Sequence, residues 1–190
     1  NANANVTIDL GTSAVSGNNG GTPSFNNIPF SVKAGELTLV GGVISSTGDA
    51  YDADGEIMNN VILVDGATLN VKDSKIDASG SSIPLAFSEA KATLTNVEIV
   101  ANDNVVQPSN GSEVLLKNCK IECAYLGVFS SSSGGAASVV TIEGGTYHAT
   151  TSNLLGVHGG SIVVKDGTFN CDNAEKTLKF YNVTGGKIVI

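Results

Sequence analysis

The chain has 190 residues, 10 basic against 18 acidic, a formal net charge of −8, and only 15% charged residues beside 23 glycines. That length supplies a substantial core without demanding a second domain. The acid excess excludes the concentrated basic surface that a nucleic-acid backbone or an anionic membrane face requires, and no apolar run of roughly 18 residues is present to span a membrane.

Residues 1–34 follow no repeat. The alternation in NANANVTIDL predicts a strand, and SGNNGGTPSFNNIPF reads as loop. This segment is expected to be an N-terminal cap, because the open end of a repeat array exposes both a sheet edge and core; the alternative is a connection to something upstream. No signal peptide is visible. The start at Asn1, without methionine, points to a mature protein or an excised piece.

From residue 35 one pattern recurs: alternating strand, small-residue corner, alternating strand. It is first written GELTLVGGVISS, then GATLNVKDSKIDA, KATLTNVEIVA, SEVLLKNCKIEC, ASVVTIEGGTYHA and GSIVVKDGTFNC, and GGKIVI begins a further copy. The last apolar residue before each corner serves as an anchor. From Val71 the anchors run through Leu94, Leu116 and Ile142 to Val164, at spacings of 23, 22, 26 and 22 residues, and Leu39 lies 32 residues upstream of Val71.

The stretched interval holds SSTGDAYDADGEIMNN, where Asp49, Asp52, Asp54 and Glu56 crowd around Gly55. Oxygen ligands at alternate positions can wrap Ca2+, although the closing glutamate of the twelve-residue calcium loop is missing. An acidic surface loop is the simpler reading. Further on, SSSSGGAA at 130–137 accounts for the longest regular step and is expected to bulge from the surface, as is CDNAEKT at 171–177. The series stops at Ile190 on an anchor position, which predicts that the repeat continues beyond it.

Core positions recur at fixed offsets. Two residues before the anchor stand Leu37, Leu69, Ala92, Val114, Val140 and Ile162; five after it stand Ile44, Ile76, Ile99, Ile121, Tyr147 and Phe169. Seven after it the residue is small, from Ser46 through Ala78, Ala101, Cys123 and Ala149 to Cys171. Two after it come Gly41, Asp73, Asn96, Asn118, Gly144 and Asp166, types that accept unusual backbone angles. One such strand pair cannot bury its own apolar face, so copies must stack. The prediction is a right-handed, single-stranded parallel β-helix over residues 35–190, with coils of about 22–26 residues rising about 4.8 Å each.

A third short strand per coil is expected around Ile83, Leu85 and Phe87, Val105 and Val106, Leu126 and Val128, Leu154, Leu155 and Val157, and Leu178 and Phe180. Leucine-rich repeats have a similar period, but their L-x-x-L-x-L-x-x-N frame is absent. Antiparallel sandwiches give no reason for like residues to recur at one offset. Three cysteines form no even disulfide framework. Cys123 and Cys171 share a column but lie two coils apart, about 9.6 Å, beyond bridging distance, so these thiols are read as small core fillers, with Cys119.

Stacking lets surface columns be read directly. Lys72, Thr95, Lys117, Glu143 and Lys165 follow the anchors by one, and Lys75, Glu98 and Lys120 by four, each column containing Lys-Glu-Lys. Six past the anchor stand Ser45, Asp77, Val100, Glu122, His148 and Asn170. Glu122 beside His148, with Asn170 beyond, is the best polar constellation in the chain; a carboxylate next to an imidazole supports acid-base chemistry or ion binding. A third metal ligand is not evident, and His158 has no place near the pair. An ice-binding Thr ladder is broken by Asn70, Leu115 and Val163.

This stacked arrangement resembles the right-handed parallel β-helix of the pectin-lyase-like superfamily across residues 35–190, through coil length, the corner asparagines Asn96 and Asn118, and the aliphatic stack of Ile76, Ile99 and Ile121. That superfamily includes polysaccharide lyases and hydrolases, phage tailspikes and noncatalytic bacterial surface proteins. The GGTY and DGTF corners at 144–147 and 166–169 look like those of repetitive bacterial surface proteins. Lyase-like members cluster Asp around Ca2+ with a Lys or Arg base, and hydrolase-like members set several Asp on adjacent coils. This chain departs from both: Asp77 and Glu122 share a column but Val100 separates them. The resemblance therefore implies a noncatalytic extracellular module of a bacterial surface protein or phage appendage, a rigid scaffold contacting a glycan or a surface protein. The alternative is a polysaccharide lyase or glycoside hydrolase using Asp77, Glu122 and His148, or the acidic 49–56 loop with Ca2+.

Overall fold

A computed structural model describes residues 4–18, 28–47, 60–79, 83–132, 135–173 and 186–190. The described strands follow the repeat coil by coil. The first is β1 (Asn5–Asn18), followed by β2 (Phe30–Val32) and β3 (Glu36–Thr47). The next two coils each carry three strands: β4 (Ile62–Asp65), β5 (Thr68–Lys72) and β6 (Lys75–Ala78), then β7 (Leu85–Ser88), β8 (Lys91–Thr95) and β9 (Glu98–Ala101). Three coils then pair a short strand with a long one: β10 (Val106–Ser109) with β11 (Glu113–Cys123), β12 (Val128–Ser131) with β13 (Val139–Ala149), and β14 (Leu155–His158) with β15 (Ser161–Cys171). The last described coil carries β16 (Lys187–Val189).

Every pairing between these strands is parallel and joins coil to coil, which makes the chain an all-β parallel solenoid, the predicted β-helix architecture. Three faces surround the core. The short strands β2, β4, β7, β10, β12 and β14 form one sheet. The other two faces share a hydrogen-bond network because β3, β11, β13 and β15 run through the corner without a break, whereas β5/β6 and β8/β9 are interrupted there.

Outside the last corner, the offsets read from sequence are the observed register. Ile44, Ile76, Ile99, Ile121, Tyr147 and Phe169 pair in succession, and the first five are fully buried. Burying each such side chain contributes about 1.5–3 kcal/mol, so a stack of them drives coil upon coil. Tyr147 and Phe169 continue it as stacked rings, with centroids 4.9 Å apart, and the Tyr147 hydroxyl donates to the Gly144 carbonyl at 3.2 Å. The small residues at offset seven are needed where the chain turns out of the sheet; Ala78, Ala101, Cys123 and Ala149 are buried there.

The corner is a left-handed kink. Asp73, Asn96 and Asn118 hold φ of 52°, 54° and 49°, and Gly41 and Gly144 hold 70° and 84°, the region that Asn, Asp and Gly enter at least cost. In the last full coil the corner slips by one residue. Asp166, not Lys165, pairs with Glu143, and Gly167 takes the positive φ.

Three further details differ from the sequence reading. The profile extends upstream of residue 35: β1 lies parallel on β3 with Val6, Ile8 and Val15 opposite Leu37, Leu39 and Ile44. Its corner contains two extra residues around Gly11, which breaks the spacing and hides the copy. Phe30, the last residue of the expected loop, instead opens a strand with Ser31 and Val32 that pairs with β4. Ser130 and Ser131 belong to β12 and are buried, where SSSSGGAA was expected to leave the surface; Ser133 and Gly134 lie outside the described residues. The third-strand expectations at Leu85, Val106, Val128 and Leu155 coincide with β7, β10, β12 and β14; Leu178 and Phe180 lie outside the described residues. Cys123 and Cys171 sit two ladder steps apart through Ala149, and all three cysteines are free thiols.

Candidate functional site

The column six past the anchor is real. Ser45, Asp77, Val100, Glu122, His148 and Asn170 are successive ladder partners on the face of β6 and β9. Alternation turns their side chains outward because Ile76, Ile99, Ile121 and Tyr147 beside them turn inward. Glu122 and His148 border an open groove of about 430 Å³ whose walls include Val100, Asn102, Ala124 and Thr150.

Adjacent in the ladder, the two residues nevertheless engage different partners. Glu122 Oε1 lies 3.1 Å from Lys120 Nζ, whereas His148 Nε2 lies 2.9 Å from Asp172 Oδ1. Asp172 was missed by sequence reasoning because it lies past the strand, in the CDNAEKT segment, where no repeat offset applies. Val100 separates Asp77 from Glu122 as expected, and Asp77 accepts from the Ser79 amide at 3.3 Å. Asn170 continues the column beyond His148. His158 ends β14, on a different face.

Nearby burial pushes the Asp103 carboxyl above its ordinary value. Burial, helped by the neighbouring Cys171 and Asp103, pushes the Cys123 thiol up to about 12; a thiol held so firmly protonated is no nucleophile at neutral pH. Asp49, Asp52, Asp54 and Glu56 lie outside the described residues. Among the described residues, no group of three or more His, Cys, Asp and Glu is placed to hold a metal ion.

The charge columns are ladders of ion pairs. Glu98 lies between Lys75 and Lys120 at 4.0 and 3.9 Å, and Glu143 between Lys117 and Lys165 at 3.5 and 2.9 Å. The Lys165 ammonium holds the Glu143 carboxyl below the usual range; hydrogen bonding to Glu122 raises Lys120. Another pair, Lys91 with Glu113 at 3.4 Å, lies three residues before the anchors. Between it and the Glu143 cluster runs a second groove of about 460 Å³, across the outer face of β5, β8, β11, β13 and β15.

These features define the class: an all-parallel β-solenoid whose described outer faces carry paired charges and two shallow grooves. Compared with known proteins, the chain matches no family model, no curated protein and no solved structure.

Proposed function

We propose that this chain is a noncatalytic extracellular module of a bacterial surface protein or phage appendage, a stiff scaffold that contacts a glycan or a surface protein. The observation that carries the reading is the engagement of the outward charges with one another along the coils: Lys75–Glu98–Lys120, Lys117–Glu143–Lys165 and Lys91–Glu113. Such pairs contribute little stability one by one, but repeated at strand spacing they fix register and keep a long, weakly charged surface soluble. A scaffold needs that, whereas a hydrolytic site needs two carboxyl groups converging on one bond. Asp77 and Glu122, the acids of the outward column, lie two coils or about 9.6 Å apart, near the separation of an inverting pair, but the apolar Val100 stands between them and no second supporting pair accompanies them among the described residues.

A polysaccharide-processing enzyme is the second reading. It is favoured by the groove that Glu122 and His148 border, where the imidazole is held from outside the groove by the Asp172 carboxylate. The two readings part in a glycan array run beside reducing-sugar and unsaturated-product assays, with and without Ca2+. The scaffold reading expects binding without products. Product release that disappears in Glu122→Gln and His148→Ala would replace it with the enzyme.

A further inference from the structure

We infer that the groove across β5, β8, β11, β13 and β15 binds an uncharged, linear, extended polysaccharide lying along the solenoid axis. The inference deepens the scaffold reading by naming the ligand class and its site, and rests on that reading only in expecting the chain to leave uncut.

The floor is set by the column one residue before the anchors. Thr93, Leu115 and Thr141 are consecutive ladder partners on β8, β11 and β13. They point outward, half-buried, because Ala92, Leu94, Val114, Leu116, Val140 and Ile142 on either side point inward. One edge is closed by Lys91 and Glu113, the other by Glu143 and Lys165. The floor thus presents hydroxyl, aliphatic and hydroxyl groups on successive coils. A threonine hydroxyl both donates and accepts, which suits a polyol, and an aliphatic side chain between two of them suits the C–H face of a sugar ring.

Charge selects against the other polymers. The charged residues lining the groove are two of each sign, and each sign is matched within it: Lys91 with Glu113 at 3.4 Å and Lys165 with Glu143 at 2.9 Å. The groove therefore has no net charge to offer a polyanion or polycation, and the chain's −8 repels a polyuronate at a distance.

Periodicity selects a glycan over a peptide. Coils rise by about 4.8 Å, close to the advance per ring of an extended pyranose chain, so successive rings meet successive coils in one register. An extended peptide advances about 3.3 Å per residue, out of step with the coils, and it gains affinity mainly from the backbone groups of a sheet edge, which a sheet face does not present. Five strands span about 19 Å, room for roughly four rings.

The test is calorimetric titration of the full chain with cellohexaose, mannohexaose and xylohexaose, and with hexagalacturonate as the charged comparison. At least one neutral hexamer is expected to bind and hexagalacturonate not to. Thr93→Val with Thr141→Val removes two hydroxyls at nearly constant volume and should weaken binding about tenfold. Leu115→Asp should abolish it, with circular dichroism confirming that both variants remain folded. No neutral hexamer binding, a preference for hexagalacturonate, or unchanged affinity in both variants would overturn the inference. Loss of binding in Glu122→Gln with the threonine variant unaffected would move the ligand to the other groove and overturn it equally. Shorter oligomers appearing in the titrated samples, with the threonine and leucine variants still deficient in binding, would remove the noncatalytic reading and leave the groove assignment standing.

Discussion

Asn96 donates through Nδ2 to Asp73 Oδ1 of the preceding coil at 2.9 Å, and both residues hold left-handed backbone, at φ of 54° and 52°. One side chain type thus does two things at the corner: it tolerates the backbone angle and it links one coil to the next. Asn118 occupies the same place on the next coil, its amide hard against Gly144 above it. Replacing Asn96 by alanine should destabilise the fold by about 1–2 kcal/mol, from left-handed strain and the lost hydrogen bond. Glycine, which accepts the angle, should cost about half as much. Urea melts of the two variants measure the difference; equal losses would mean that the angle contributes nothing.

Gly145 follows Gly144 in the corner with φ of 103°, and a Cβ built there would fall on the carbonyl oxygen of Cys119 and 2.7 Å from its amide nitrogen. Both are backbone atoms, held in the β11–β13 ladder and unable to withdraw. Gly167, the equivalent in the next coil, would meet the Phe169 ring at 3.1 Å, a side chain with room to shift. Gly145→Ala is therefore expected to cost at least ~3 kcal/mol and Gly167→Ala about 1–2 kcal/mol. Thermal melts in which Gly167→Ala proves the more damaging would contradict this account.

The difference between those two glycines also marks what the sequence made legible. Stacking could be read because one parallel ladder forces the same physical requirement on every coil: Ile76, Ile99 and Ile121 recur because each fills the space above its predecessor. Where a residue's role comes from outside the ladder, the offset carries no information. Asp172 reaches His148 from beyond the strand end, and β1 was hidden by two extra corner residues that leave its core pairing intact. The corner slip at Asp166 escaped notice for the same reason, since Lys165 still reaches Glu143 despite leaving the register. The groove over Leu115 was legible only as a broken threonine ladder, because its walls belong to columns four residues apart.

Glu143, shared by Lys117 and Lys165, gives the ion-pair ladders a direct measurement. Its lowered carboxyl pKa means that the favourable interaction is present at neutral pH and is lost as pH falls through the folded-state value. Glu143→Gln should lower the melting temperature slightly in dilute buffer. In about 1 M NaCl, where the screening length shrinks to about 3 Å, the variant and the wild type should converge. A gap that survives salt would assign Glu143 a packing role instead.

Alkali tests the core from the other direction. Burial raises Cys123 from 9.0 to about 12 and raises Cys119 as well, and it holds the Tyr147 phenol above its ordinary 10.0. Each group keeps its proton in the folded state and loses it in the unfolded chain, so above about pH 9 the unfolded state binds fewer protons. Stability is then complete below that pH and declines as pH rises from about 9 towards 12, by about 1.4 kcal/mol per pH unit for each group ionised only on unfolding. Cys123→Ala isolates one contribution, since Ala101 and Ala149 already occupy the same offset on the coils before and after it. Urea melts under reducing conditions from about pH 8 to about pH 11 should show a shallower decline for the variant. Parallel pH profiles would mean that the Cys123 thiol ionises alike in both states, and that the small-residue column admits more water than its burial implies.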